Sequence, residues 1–247
     1  MSRILYTAMN GAQRLLQEQA QVTHGLANVN TVGFKQQLNL QRAVPLQGGA
    51  VHPTRVSTVS TTVGTHRAQG PMSETGHALD LAIRGEGWFA VQTPPGEAYT
   101  RAGDFSVNED SILVTAQGYP VLSADNDLIE IPERGSVHFS VDGQITVLGA
   151  GDNPRDVQTL GQIKLVNPEP QALVRGEDGW FRMAEGQTAA MDETIRVAPG
   201  FLEKSNVSAA ESMVALINNA RQFEMQMQVI SDSGANEERA NSILSLN

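Results

Sequence analysis

Apolar residues near the N-terminus recur at alternating steps of three and four. Leu5, Ala8, Ala12, Leu15, Val22, Leu26 and Val29 form one narrow stripe whose lone polar member is Gln19. That spacing belongs to a helix presenting a single seam to another helix. A helix over residues 3–29 would span roughly 40 Å. Asn30-Thr31-Val32-Gly33 follows, and Gly33 is a natural terminator. Near the other end, Met213, Leu216, Ala220, Phe223, Met227 and Ile230 repeat the spacing, with Ser208 and Glu211 placed for a capping box. Ser233-Gly234 weakens that second helix, which Ala240, Ile243 and Leu244 would continue. Each seam is narrow, and no intrachain layer is evident to cover either one except the other.

Between the ends the period falls to two. Leu79, Leu81 and Ile83 alternate with Asp80, Ala82 and Arg84, and Gly85-Glu86-Gly87 turns the chain into Trp88-Phe89-Ala90-Val91. Ile163–Val166 and Ile195–Val197 supply further strands. Around Asp142-Gly143 the two possible hairpins differ in outcome. A two-residue loop sets Phe139 opposite Thr146 and wastes the apolar face. A three-residue loop over 141–143, with Gly143 left-handed, sets Phe139 opposite Ile145 and Val137 opposite Val147. Register follows the buried face, so the three-residue form is expected. The run from Thr54 to Gly64 is β-prone and nearly uncharged, the pattern of an extended arm or edge strand ordered by a partner. Together these patterns predict an α+β chain: long N- and C-terminal helices and a central all-β domain. The expected segments are a helical one at 1–35, an arm at 36–75, the β domain at 76–204 and a second helical one at 205–247.

Composition removes several function classes. The net charge is −10, with no basic stripe for nucleic acid and no Lys/Arg cluster for an anionic membrane surface. Residues 1–35 are net basic (Arg3, Arg14 and Lys35 against Glu18), whereas 205–247 carry two arginines against five acids. The absence of cysteine excludes disulfides, thiolate-zinc sites and thiol nucleophiles, and suits a chain exported unfolded into an oxidising space. The opening residues lack the apolar run of a secretory signal, and no stretch approaches the ~20 apolar residues that span a bilayer. By sequence alone the chain looks cytosolic; if it works outside the membrane, it must leave by a route that does not cleave a signal.

Chemistry-bearing constellations are equally scarce. The five histidines never fall at metal-ligand spacing. Gly85-x-Gly87 lacks the third glycine of a dinucleotide fingerprint. Asp125-Asn126-Asp127 lacks the glycine and terminal glutamate of a calcium loop and reads as a polar turn. Central carboxylates are plentiful, yet no spacing marks an acid/base pair. Trp88, Phe89, Tyr99, Phe105 and Tyr119 read as the core of a β domain. The expectation is no catalytic residue, metal or cofactor.

Three segments carry a resemblance. Leu26-Ala27-Asn28-Val29-Asn30-Thr31-Val32-Gly33-Phe34-Lys35 is similar to the N-terminal signature of flagellar rod and hook proteins. Residues 78–122 resemble the family's shared β domain, and 200–230 resemble its C-terminal signature. Within the family, Arg221 to Met227 is nearer the proximal-rod member than the distal one. Gly25 departs from the pattern and would fray the helix end, a glycine costing about 1 kcal/mol there.

The resemblance implies a non-enzymatic structural subunit of the rod. Its terminal helices would pair as a coiled-coil-like layer beside those of neighbouring subunits, with the β domain outside. It implies growth as a helical array with copies of itself and other rod proteins, export through the flagellar type III apparatus, and a place in the periplasmic basal body. Subunit packing would fall on Leu15, Val22, Leu26, Phe34, Met213, Leu216, Phe223, Met227 and Ile230. Asn28 and Asn30 would satisfy helix-end carbonyls while Gly33 makes the turn. From the residues alone, a secreted β-rich adhesin with helical ends is the competing reading.

Overall fold

The computed structural model describes residues 3–45, 56–132, 136–148, 157–176, 178–184 and 186–244. It divides into two compact units.

The first unit holds both helices. Helix α1 covers Arg3–Ala27 and helix α2 covers Ala209–Leu244. Gly11 of α1 lies against the Gln226 side chain and Gly25 lies against Val207, so the two helices pack side by side and antiparallel. Ser208 caps α2: its Oγ accepts the Glu211 N–H at 3.4 Å, and Glu211 adds a favourable negative charge to the first turn. Neither Gly25 nor Gly234 interrupts its helix. The same unit contains an antiparallel ladder of strand Gln37–Pro45 against strand Val56–Thr65. The β-prone run is thus a strand whose partner is the chain itself, supplied by residues whose period-two signal is only Leu38 and Leu40. Thr54 and Arg55, with the rest of 46–55, lie outside the described residues.

The second unit, 30–35 with 67–206, has strands as its only regular elements among the described residues, joined by turns and irregular segments. A five-stranded antiparallel sheet runs in the order Leu165–Val166, Trp88–Thr93, Gly96–Thr100, Phe181–Met183, Leu173–Arg175. A three-stranded sheet contains Val157–Gln162, Gln144–Leu148 and Ser136–Phe139. Two-stranded ladders pair Leu81–Arg84 with Arg196–Pro199, Met72–Glu74 with Phe201–Glu203, and Phe105–Val107 with Leu113–Thr115.

The hairpin at 141–143 takes the expected three-residue form. Phe139 pairs with Ile145 and Val137 with Val147, while Gly143 sits at φ +79°. Strand Trp88–Thr93 departs from simple alternation because both its faces are covered. Phe89 and Val91 enter one apolar cluster with Leu81, Ile83, Phe105 and Leu113, while Trp88 and Ala90 enter another with Tyr99 and Phe181. Ala82, read from its spacing as a solvent-side residue, is likewise fully buried. Of the expected aromatic core, Trp88, Phe89, Tyr99 and Phe105 are buried and Tyr119 is half-buried. The Tyr99 hydroxyl accepts the Ala189 N–H at 2.7 Å, and burial raises its pKa well above the ordinary phenolic value.

Candidate functional site

Two features stand out as functional: the surfaces of the helix pair, and the segments through which the chain passes between the units.

On α1 the stripe turned toward α2 is the one the spacing predicts. Ala8 and Ala12 are buried, and Leu5, Leu15, Val22, Leu26 and Val29 are half-buried, whereas Gln19 is exposed. Helix α2 behaves differently. Leu216, Phe223 and Ile230 are half-buried as expected, but Met213, Ala220 and Met227 are exposed. The other flank of the same apolar ridge is turned in: Ser212 and Asn219 are buried and Gln226 is half-buried. Leu216, Phe223 and Ile230 therefore belong to two overlapping three-four frames. One is completed by Met213, Ala220 and Met227, the other by Ser212, Asn219 and Gln226. Hydrophobicity selects the first frame, and the chain uses the second.

A local reason lies on the facing helix. Gly11 leaves a notch, and the Gln226 amide fills it, its carbon 3.3 Å from where a Cβ would stand. This arrangement is costly at Asn219, whose Nδ2 is buried without a hydrogen-bond partner. It also leaves apolar surface on both helices. Tyr6, Met9 and Leu16 are exposed on α1, and Met213, Ile217, Met225 and Met227 on α2, at 46–71% of full exposure.

The passage segments belong to the β unit. Helix α1 ends at Ala27, and the Asn28 side chain donates from Nδ2 to the His24 carbonyl at 2.9 Å, which also accepts the Asn28 backbone N–H at 3.3 Å. Asn30 is exposed in the turn beyond. Gly33 does not terminate the helix. Its φ is +66°, and a Cβ there would stand 2.2 Å from the Ala102 backbone nitrogen, so glycine is required for close approach as well as conformation. Phe34 is buried, with the Arg175 guanidinium 5.0 Å from its ring centroid.

Next to it is the most buried ionic group among the described residues. The Lys35 ammonium donates to Glu203 Oε1 at 2.7 Å and to the Ala68 carbonyl at 2.8 Å. Arg101 Nη2 lies 2.8 Å from Glu203 Oε2, and the Gly70 N–H donates to Oε1 at 2.9 Å. The three ionic side chains are only 1–2% exposed. Burial lowers the Lys35 pKa from its ordinary value, the bond to Glu203 opposing the shift. No sequence spacing marks this trio, since Lys35 and Glu203 stand 168 residues apart.

Elsewhere the β unit has an open groove of about 520 Å³, edged by Asp125, Asp127, Leu128 and Glu130. These acids are exposed, and among the described residues no cluster of His, Asp or Glu could hold a metal ion. Asn126, at φ +67°, makes the tight polar turn and accepts from Lys164 Nζ at 2.6 Å.

The organisation matches known protein-family models in three places. Residues 5–35 match the flagella basal body rod protein model, 82–147 the flagellar hook protein FlgE/F/G D1 domain, and 198–243 the flagellar basal body rod FlgEFG protein C-terminal model. The flagellar basal-body rod protein FlgF of Salmonella typhimurium is 40% identical, and that of Escherichia coli 41%, each over the whole of both chains. The chain belongs to the flagellar basal-body rod protein family. The rod protein FlgG of Bacillus subtilis is 29% identical over 94% of this chain and 96% of its own, so resemblance is stronger to these FlgF members. Within a structural rod subunit, the two features acquire a shared context. The N-terminal match ends at Lys35, and the C-terminal match contains Glu203 and the whole α2 ridge.

Proposed function

We propose that this rod subunit belongs to the proximal rod, where it packs by its terminal helices against copies of itself and other rod proteins and passes motor torque along the axis. The observation that carries this reading is the apolar surface left open on the helix pair: Tyr6, Met9 and Leu16 on α1, and Met213, Ile217 and Met227 on α2. Two half-covered helices are stabilised by further helices laid alongside, and a coiled-coil-like layer with residues 1–35 and 205–247 as its axial segments satisfies them. Leu15, Val22, Leu26, Leu216, Phe223 and Ile230 would hold the layer together, with Met213 and Met227 turned to neighbours. Contacts that repeat head to tail without closing grow into a helical tube. The rod context further implies export by the flagellar type III route without signal cleavage, a periplasmic site of action, and no catalytic role.

Replacing Ile217 and Met227 with glutamate tests the assembly surface. Both residues are exposed, so the purified chain should keep its helix content by circular dichroism. Cells carrying only this variant should lose swimming. Retained swimming would remove the outer flank of α2 from the interface.

A further inference from the structure

The chain passes between its two units four times, after Val29, Lys35, His66 and Asn206. Every passage lies within a few residues of the Lys35–Arg101–Glu203 group. The three segments concerned are also stitched to one another. The Gly33 N–H donates to the Glu203 carbonyl at 2.8 Å, and the Asn206 N–H to the Phe34 carbonyl at 3.3 Å. Asn206 Nδ2 and Lys35 Nζ both donate to the Ala68 carbonyl, at 3.1 and 2.8 Å. Gly70 donates to the Glu203 carboxylate, and a Cβ on Gly70 would stand 2.0 Å from the Lys204 carbonyl oxygen. Arg101 anchors the group to the sheet through the carbonyls of Gly85 and Gly87, at 2.7 and 2.8 Å.

We propose that Lys35, Arg101 and Glu203 are positioning residues forming an ionic clasp, which binds all the passage segments into one root so that load reaching any of them is shared. Glu203 is the centre, because it alone is negative between two cations that burial keeps from water. Removing Glu203 leaves two buried cations uncompensated, whereas removing one cation leaves the carboxylate paired with the other, so the group depends most on its centre. Four independent tethers would each stretch under load, whereas a stitched root resists as one joint. The load-bearing part of this inference rests on the rod reading above; the clasp itself does not.

The test uses the full chain with Glu203→Gln and, separately, Lys35→Met, which leaves Glu203 paired with Arg101. Hydrogen exchange should accelerate about a hundredfold at 33–35, 68–70 and 203–206 in Glu203→Gln, and less in Lys35→Met. Strands Trp88–Thr93 and Gln144–Leu148 should stay protected in Lys35→Met. In cells whose only copy is Lys35→Met, swimming speed should fall more steeply with medium viscosity than in cells carrying the unaltered chain.

Unchanged exchange at the passage segments in both variants would overturn the clasp. So would loss of protection spread evenly through the β strands in Lys35→Met, which would make the group an ordinary part of the core. A speed loss of equal proportion at every viscosity would overturn the load-sharing role. Failure of the unaltered chain to restore swimming would sink the rod reading instead, and the exchange result would still decide the clasp.

Discussion

Leu81, Ile83, Phe89, Val91 and Leu113 in the β unit are wholly buried, whereas in the helical unit Leu15, Val22, Leu216, Phe223 and Ile230 reach only half-burial. The β strands find covering layers within their own unit on both faces of Trp88–Thr93. The helices have only each other, and α2 meets α1 with a flank that is polar at Ser212, Asn219 and Gln226. Burial of apolar area is the main favourable term in folding, at roughly 25 cal/mol per Å². One region is therefore complete as a single chain, while the other retains apolar surface that an additional chain can cover.

The largest test of this contrast is Phe89→Ala. It removes a fully buried ring that packs edge-on against Phe105 at 5.1 Å, and should destabilise the β unit by about 3–5 kcal/mol. Chemical denaturation followed by tryptophan fluorescence would report it, since Trp88 and Trp180 both lie in that unit. A loss below about 1 kcal/mol would mean this core is looser than its burial indicates. Next in size, Asn219→Leu replaces a buried unpaired donor and should stabilise the helical unit by about 1–2 kcal/mol, seen as slower hydrogen exchange along α2. Faster exchange there would show that the asparagine is satisfied in solution.

Gly25→Ala should add about 0.5–1 kcal/mol to the same unit. The helix is unbroken at that position, and a new Cβ would meet Val207 at an ordinary 3.8 Å. A drop in helix thermal stability would reveal a tighter junction. The smallest effect concerns Asp104 in the β unit. Its carboxyl is raised above the ordinary range by burial and, secondarily, by the charge of Asp80. Its contribution to stability is thus fully present below the ordinary carboxylate value and is lost as pH rises through the raised one. Asp104→Asn should accordingly raise the melting temperature of the β unit at pH 7 and leave it unchanged in acid. An equal change at both pH values would point to packing rather than charge.

How much was legible in the sequence follows the same division. The hairpin register around Gly143 could be read because one alternative buries the apolar face and the other wastes it. The α1 stripe could be read because its apolar residues fit a single frame. The inward flank of α2 could not, because Leu216, Phe223 and Ile230 serve two frames, and the choice depends on a notch at Gly11 of the other helix. The strand partner of Val56–Thr65 was equally hidden, since alternation in Gln37–Pro45 is confined to Leu38 and Leu40 and breaks off at Arg42. For the ionic group, identity conveys nothing until the fold joins Lys35 to Glu203. Gly33 illustrates a partial reading: the spacing marks a turn there, but its positive φ serves the close approach to Ala102 and not the end of α1.

The unequal lengths of the helices have one more consequence. Measured from the Gly11–Gln226 contact, α1 extends back to Arg3 while α2 runs on to Leu244, an excess of about ten residues, or roughly 15 Å at 1.5 Å per residue. The free end of the pair is stepped, one helix standing proud of the other. A chain stacked end-on against it meets a shoulder and not a flat face, which makes a lap joint out of what would otherwise be a butt joint and gives such a junction a natural axial register.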